Sequence, residues 1–274
     1  MPNWGRVRIV AGATVRELVR QRFVGGVLLV AFGMLASALF FRQFDFGGSE
    51  LKFLADFGFG VLGLFGVILA VVAMAQTFFA ELETRTLHTS LAKPLRRGEW
   101  LLGKFAGVTV LLGLYTVVVG GMLGLVLAWR GEVLREATSI PESLSAEVSF
   151  GAFAALVLLQ GIKFAVLASV AAFIASYARS NLFTILVAGV VFVVGHLQPV
   201  AVEAWMRSEA GIARIVGPLV LRAFPNLQIF NLGDAGVIGE AFQWADALWA
   251  AGYGVMYAAG VLTLALFSFS RREL

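Results

Sequence analysis

Residues 105–129, FAGVTVLLGLYTVVVGGMLGLVLAW, decide the fold, because this long run contains no charged side chain. A helix needs about 20 such residues to cross the hydrocarbon core of a bilayer. Further apolar runs of similar length lie at 23–41, 57–79, 150–176, 182–200 and 247–270. A chain of 274 residues is too short to bury six such helices in a soluble core. The sequence therefore predicts an all-α membrane protein with six transmembrane helices.

The composition agrees with this prediction and excludes several classes of function. The chain is 59% hydrophobic and 14% charged, whereas soluble chains are about 45–50% apolar and about 25% charged. It contains no cysteine and two histidines, which excludes disulfides, thiolate chemistry and a histidine-rich metal site. The nucleotide pattern G-x-x-x-x-G-K-[ST] and the catalytic patterns H-E-x-x-H and G-x-S-x-G do not occur. We expect no enzymatic activity and no cofactor on this chain.

The distribution of basic residues predicts the orientation. Of the 21 lysines and arginines, thirteen fall in the connections on one side of the predicted spans and seven on the other. Lys163 lies inside a span. Because Lys and Arg resist translocation, the richer side is expected to be cytoplasmic. Both termini then lie inside, and the net charge of +4 reflects topology rather than nucleic-acid binding.

The segment 1–22 is expected to form an amphipathic helix before the first span. Its polar side carries Arg16 and Arg20. Its apolar side consists of Val7, Ala11, Val15 and Leu18. Such a helix either lies along the inner leaflet, with its arginines near anionic headgroups, or packs on other protein.

The connections on the far side are unequal. Residues 42–56 and 130–149 are short, whereas 201–246 is longer and partly apolar. We predict short external helices there, with Pro218 starting the second and Pro225-Asn226 turning the chain. Two interpretations stay open: the segment dips into the outer leaflet and shapes an exit gate, or it is a simple external cap.

Glycines inside the spans are predicted to serve helix packing. Gly58-x-Gly60-x-x-Gly63 matches a dinucleotide-binding pattern, but it lies inside an apolar span and continues to Gly66. Gly120, Gly121 and Gly124 recur similarly. Small residues at helical spacing let membrane helices approach closely.

The connection 80–104 between the second and third spans is the most informative polar stretch. From Glu81 to Lys104 it runs ELETRTLHTSLAKPLRRGEWLLGK. Leucines recur every four residues, and Pro94 predicts that a short helix ends just before it. Such a helix either presses into a groove of a cytoplasmic partner or forms a tight loop at the inner leaflet.

This connection resembles that of ABC exporter permeases, in particular the branch that includes the nitrous-oxide-reductase maturation permease. The matching positions are Glu81, Glu83, Thr86, Leu87, Lys93, Pro94, Arg96, Gly103 and Lys104. Weaker similarities are Gly195-His196, Pro225-Asn226-Leu227-x-x-Phe230-Asn231 and Arg271-Arg272-Glu273-Leu274. Arg85 departs from the pattern, because the family commonly has glycine there.

The resemblance implies a homodimer in a bacterial inner membrane that carries two ATPase subunits, on which ATP and Mg bind. It does not identify the cargo. The segment 83–93 would be the coupling helix, 1–22 the interfacial connecting helix, and accessory periplasmic or membrane subunits are possible partners. The implied coupling residues are Glu81, Glu83, Arg85, Thr86, Leu87, Leu91, Lys93, Pro94, Arg96 and Arg97.

Two polar residues within spans are candidate pathway residues. If Lys163 lies at mid-membrane, it must face a polar cavity or a partner. If its span begins near Leu156, the lysine can extend to the outer headgroups, and we favour this second interpretation. His196 is expected near the outer interface, with a proton-relay role as the alternative.

Two other classes of function stay open at this point. An ion-gradient-driven transporter or channel predicts ionisable residues near mid-membrane, and Lys163 is the one such residue found. A membrane anchor that recruits a cytoplasmic partner predicts no substrate movement. The cargo has no readable signature in the sequence.

Overall fold

The computed structural model describes residues 3–40, 50–83, 96–137, 149–207, 217, 219–232 and 242–271. Within these ranges the regular elements are helical, which confirms the predicted all-α class. The helices are α1 (Trp4–Val19), α2 (Arg22–Ala38), α3 (Glu50–Glu83), α4 (Arg97–Ala137), α5 (Phe150–Tyr177), α6 (Asn181–Met206) and α7 (Trp244–Arg271). A 3-10 turn, Gln228–Phe230, lies between α6 and α7.

Five helices, α3 to α7, are each long and apolar enough to cross a membrane. The predicted first span corresponds to α2, which has 17 residues. At 1.5 Å per residue it is about 25 Å long, which is shorter than a hydrocarbon core of about 30 Å. Helices α1 and α2 qualify only as a pair, which is bent by 62°. Five of the six predicted spans thus correspond to helices that are long and apolar enough to cross a membrane, while the sixth crossing and the orientation stay predictions.

Helix α5 is the centre of the bundle and contacts α3, α4, α6 and α7. Within its apolar stretch 72% of the residues are buried. Helices α6 and α7 instead expose large apolar side chains, such as Leu186, Val190, Leu248 and Met256. Apolar surface on that scale is typical of a face that meets lipid or another protein chain.

Several of the predicted packing glycines lie where helices meet. A Cβ atom at these positions would overlap a neighbouring side chain, so only glycine fits without a shift. The pairs are Gly58 with Leu123, Gly66 with Phe164, Gly120 with Val157 and Gly124 with Phe153. The packing role is confirmed for these four glycines. A Cβ at Gly60 or Gly121 would meet no described atom within 4 Å.

The two ends of the bundle differ in their connections. We call the end where α3 stops and α4 starts the α1 end, because α1 packs there on α4. At the opposite end Arg130 binds Glu50 through two parallel bonds, Nε to Oε1 at 2.5 Å and Nη2 to Oε2 at 3.0 Å. This bidentate pair joins the start of α3 to α4.

Candidate functional site

Helix α1 lies in a groove on α4 that two glycines open. A Cβ atom at Gly103 would stand 2.5 Å from the Cβ of Val10, and one at Gly107 would stand 2.7 Å from the Cβ of Thr14. Glycines four residues apart form a smooth strip on one helix face, which allows this close approach. The first turns of α4 are therefore shaped to hold α1.

The predicted amphipathic character of the N-terminal segment is confirmed. Val7 and Leu18 are buried, and the two arginines of the polar side, Arg16 and Arg20, are exposed. The buried side covers α4 of the same chain. Part of the apolar surface stays uncovered, since Ile9 is 75% exposed. Contact between α1 and the inner leaflet stays a prediction.

A buried lysine joins the two helices that flank the segment 84–95. Lys104 of α4 is 2% exposed, and its ammonium lies 2.6 Å from Oε1 of Glu81 at the end of α3. The other oxygen of Glu81 accepts a hydrogen bond of 2.8 Å from the indole of Trp100. Lys104 also lies 3.6 Å from Glu17 of α1. One ammonium thus links α3, α4 and α1.

Glu99 anchors the beginning of the chain to the beginning of α4. Its carboxylate accepts hydrogen bonds from the backbone N–H of Asn3, at 2.9 Å, and of Arg96, at 3.2 Å. The guanidinium of Arg6 lies 3.5 Å away. The bond from Asn3, then that from Arg96, and more weakly the charge of Arg6 hold the pKa of Glu99 below its usual range. Each of these partners favours the ionised carboxylate.

An aromatic cluster extends this arrangement to the last helix. Phe78 of α3 meets the rings of Trp100 and Phe269 edge to face, with centroids 5.4 Å apart in both cases. Trp100 stacks on Phe269 at the same centroid distance. Aromatic pairs in these geometries each contribute about 0.5–1.5 kcal/mol beyond burial. We call Glu81, Glu99, Trp100 and Lys104 the root cluster.

The root cluster contains only part of the predicted coupling set. The side chain of Glu83 and the residues Arg85, Thr86, Leu87, Leu91, Lys93 and Pro94 lie outside the described residues. The side chain of Arg96 is exposed. Arg97 donates a hydrogen bond of 3.4 Å to the carbonyl of Ser270 in α7. The structure therefore shows how the described residues on the two sides of the segment 84–95 are held, while a coupling role of this segment stays a prediction.

A largely irregular segment with a single 3-10 turn enters the bundle from the opposite end. Residues 221–232, which we call the wedge, lie against α5, α6 and α7 through the 3-10 turn. A Cβ at Gly195 would stand 2.5 Å from the carbonyl oxygen of Pro225, and one at Gly254 would stand 2.9 Å from the ring of Phe230. Glycine at these two positions lets the backbone and ring approach the helices.

Hydrogen bonds from the flanking helices satisfy polar groups of the wedge, as backbone away from water requires. They are Leu227 N–H to the Gly195 carbonyl at 3.0 Å, Asn226 N–H to the Tyr253 hydroxyl at 2.8 Å, the Tyr257 hydroxyl to the Ala223 carbonyl at 3.0 Å, and the Gln198 amide to the Leu221 carbonyl at 3.1 Å. Pro225-Asn226, predicted to turn the chain, lies in the irregular part of the wedge, whereas Pro218 lies outside the described residues. The wedge packs against α5, α6 and α7, while the choice between an exit gate in the outer leaflet and a simple external cap stays open.

The wedge closes one side of a polar cavity of about 320 Å³ between α3, α5 and α6. Lys163 lines it from the middle of α5, about 20 Å along the helix from Phe150. The lysine is 4% exposed and donates a hydrogen bond of 3.1 Å to Oδ1 of Asn231. The favoured interpretation, in which Lys163 extends to the headgroups, is therefore wrong. The wedge supplies a protein acceptor at the depth of the lysine.

Two further polar groups face this cavity. Gln160 donates a hydrogen bond of 3.4 Å to the same Oδ1 of Asn231, while its own Oε1 is buried and has no partner in the described part of the chain. His196 also lines the cavity, with its ring 6.0 Å from that of Phe192. Its Nδ1 is likewise buried without a partner among the described residues. His196 thus faces protein, and a role in a pathway stays a prediction.

The structure adds residues that sequence reasoning did not select. Glu99 stands three residues after Arg96 at the start of α4 and bonds back to its N–H, which is the acidic half of a capping box. This local signal was available in the sequence. Asn231 belongs to one of the weaker family similarities, but nothing in the sequence pairs it with Lys163.

The fold and these sites define a multi-pass helical membrane protein with an internal polar cavity and an N-terminal helix docked on the bundle. Residues 28–274 match the model of the ABC-2 family transporter proteins. The chain belongs to this family. It is therefore a membrane component of a transporter rather than an enzyme in its own right. A search of curated proteins finds no match.

Proposed function

We propose that this chain is the permease subunit of an ATP-driven exporter. Two copies form the substrate pathway in a bacterial cytoplasmic membrane, with both termini inside, and two separate ATPase subunits bind ATP and Mg²⁺. Family membership supports the transporter class. The excess of basic residues on one side supports the orientation. The motif at 81–104 favours the branch that includes the nitrous-oxide-reductase maturation permease.

The observation that carries the coupling role is the root cluster. Both ends of the segment 84–95 are joined by Glu81, which binds Lys104 at 2.6 Å and Trp100 at 2.8 Å. A force applied to this segment by an ATPase moves the end of α3 and the start of α4 together rather than separating them. Without this link the end of α3 and the start of α4 could bend apart, and the motion would not reach the rest of the bundle.

The same cluster distributes the motion to other helices. The contacts of Glu99 and Lys104 reach α1, and the stack of Trp100 on Phe269 reaches α7. Helices α3, α4 and α7 also pack around α5, which lines the cavity. ATP-driven closure of the ATPases would thus switch the spans between inward-facing and outward-facing states.

A double charge reversal tests the coupling role. We expect Arg96→Glu with Arg97→Glu to abolish ATPase co-purification and export, because these residues flank the proposed coupling helix, while membrane insertion is retained. The matched control is Arg16→Glu with Arg20→Glu, which changes the net charge equally at the same end on the exposed side of α1. Unchanged co-purification of the ATPase with the first variant contradicts the proposal.

The buried Lys163 favours one alternative, an ion-gradient-driven transporter, because such proteins carry ionisable residues in their spans. Substrate transport by the purified chain without any ATPase would support this alternative. A third candidate is a non-transporting anchor. ATP-dependent substrate movement in reconstituted vesicles that contain permease and ATPase excludes it.

A further inference from the structure

The cavity beside the wedge contains a buried cation whose charge is not neutralised by a described residue. The contact of Lys163 is the neutral Oδ1 of Asn231, and no carboxylate of the described ranges lies within ion-pair distance of its ammonium. Removing an ammonium from water costs several kcal/mol unless a partner compensates. An amide oxygen compensates only part of this cost. The site therefore favours an incoming negative charge.

The unpaired polar atoms nearby specify the ligand further. Gln160 is 7% exposed, and its buried Oε1 has no donor among the described residues; neither has Nδ1 of His196. Both groups line the same cavity as Lys163. A buried acceptor without a donor destabilises the protein, so it favours a ligand that donates a hydrogen bond to it. A head group that combines an acid with hydroxyls satisfies the ammonium and the amide oxygen together, and a hydroxyl also pairs with Nδ1 of His196 in either tautomer of the imidazole.

Most of the remaining lining is apolar and reaches the flank of the bundle. Phe59, Leu156 and Phe192 line the cavity, as does Leu64, which is 52% exposed on α3. The volume of about 320 Å³ is at the lower end of small-molecule sites, which measure about 300–1,000 Å³. It holds a head group and the first part of a chain. The remainder of an apolar chain would leave along Leu64.

Asp56 also lines the cavity and would repel an anion. Its side chain is exposed, whereas Lys163 is buried. Water and salt screen an exposed carboxylate much more than a buried ammonium. The positive charge therefore dominates at the inner part of the cavity.

We propose that this cavity binds an anionic amphiphile, whose acidic head group with hydroxyl donors contacts Lys163, Gln160 and His196 and whose apolar chain lies along Leu64. Phosphatidylglycerol has this chemistry and is the probe. That this ligand class is also the cargo depends on the proposed export function. Binding itself needs no ATPase, so it is measured on the permease alone.

The test is photolabelling of the full-length protein in phosphatidylcholine nanodiscs. Photoreactive phosphatidylglycerol should label peptides of α3 and α5 more strongly than photoreactive phosphatidylcholine with identical chains. Lys163→Met should reduce this labelling about tenfold or more, and Lys163→Arg should retain most of it. Asp56→Asn should increase it. The control Arg207→Met removes an exposed positive charge away from the cavity and should leave labelling unchanged.

Three results overturn the proposal. They are equal labelling by the two lipids, undiminished labelling of Lys163→Met, and competition by inorganic phosphate alone that matches competition by unlabelled phosphatidylglycerol. The last result would mean that the apolar half of the cavity contributes nothing. Loss of ATPase association in the coupling variants is independent of all three, so the two proposals fail separately.

Discussion

Two buried lysines at different depths of the bundle have opposite surroundings. Lys104, near the α1 end, lies beside the carboxylates of Glu81 and Glu17. Lys163, in the middle of α5, contacts the amide oxygen of Asn231. A lysine paired with carboxylates holds elements of the fold together, whereas one with a neutral partner keeps its charge available. Partners, rather than depth alone, distinguish a structural cation from a candidate binding cation.

The largest expected effect comes from breaking the first arrangement. Lys104→Met should lower the free energy of unfolding by about 3 kcal/mol, because the partly buried Glu81 loses its cation. The double variant Lys104→Met with Glu81→Leu should recover much of this loss, since the partly buried carboxylate is removed with its cation and the remaining carboxylate, Glu17, is exposed to water. Thermal and denaturant unfolding of the purified protein in detergent measure both. A double variant less stable than Lys104→Met would contradict the pairing.

The second-largest expected loss of stability comes from adding a methyl group at the close contact between the wedge and α6. Gly195→Ala should destabilise the protein by about 1–3 kcal/mol, because the added methyl meets the Pro225 carbonyl and the wedge must shift. Gly189→Ala on the same helix is the control, since its Cβ would meet no described atom within 4 Å.

The chain has no cysteine, so Gln228→Cys provides a single reporter of the wedge. Its maleimide labelling should change when Gly195→Ala is added and stay constant when Gly189→Ala is added. Identical unfolding and labelling of the two alanine variants would show that the wedge does not depend on this close approach.

Removing the second lysine should have a smaller effect on stability. Lys163→Met should change the free energy of unfolding by less than about 1 kcal/mol, because one hydrogen bond to a neutral acceptor is lost and the cost of burying a charge disappears with it. The same unfolding measurements compare the stability of Lys163→Met with that of Lys104→Met. An equal loss in the two variants would mean that Lys163 is structural, and the contrast between the lysines would fail.

The smallest effect is a pH dependence at Glu99. Its pKa is lowered below the ordinary value of 4.5 in the folded protein, so the folded state favours the carboxylate. The resulting stabilisation is fully present above pH 4.5 and is lost as the pH falls through the lowered value. The difference in melting temperature between wild type and Glu99→Gln should therefore shrink in acid. A constant difference would assign the effect of the substitution to packing.

The apolar spans could be predicted from the sequence because they lie in the bilayer, but the bounds of the full helices could not. The apolar run 105–129 identifies the part that lies in hydrocarbon, whereas α4 extends from Arg97 to Ala137, since a helix continues through polar residues once it leaves lipid. The run 23–41 was longer than α2, which ends at Ala38. Hydropathy indicates which part of a helix lies in lipid, whereas backbone hydrogen bonds decide where the helix ends.

The residues that contact Lys163 and Glu99 could not be predicted from the sequence, for a different reason. Asn231 and Lys163 are 68 residues apart, and Asn3 and Glu99 are 96 apart. Periodicity describes one helix at a time, so contacts of this separation depend on how helices pack. The interpretation of Lys163 as reaching the headgroups was wrong because the wedge, which supplies Asn231, was not foreseen.

The docking of α1 on Gly103 and Gly107 also has a consequence for biosynthesis. Val10 and Thr14 are made long before these glycines, and at about 5–20 residues per second the delay is about 5–20 s. During that interval the first helix has already been translated while its groove does not yet exist. Helix α1 therefore cannot dock until α4, the second of the five long apolar helices in the described residues, has been made, and its amphipathic character suits it to the membrane surface during that interval.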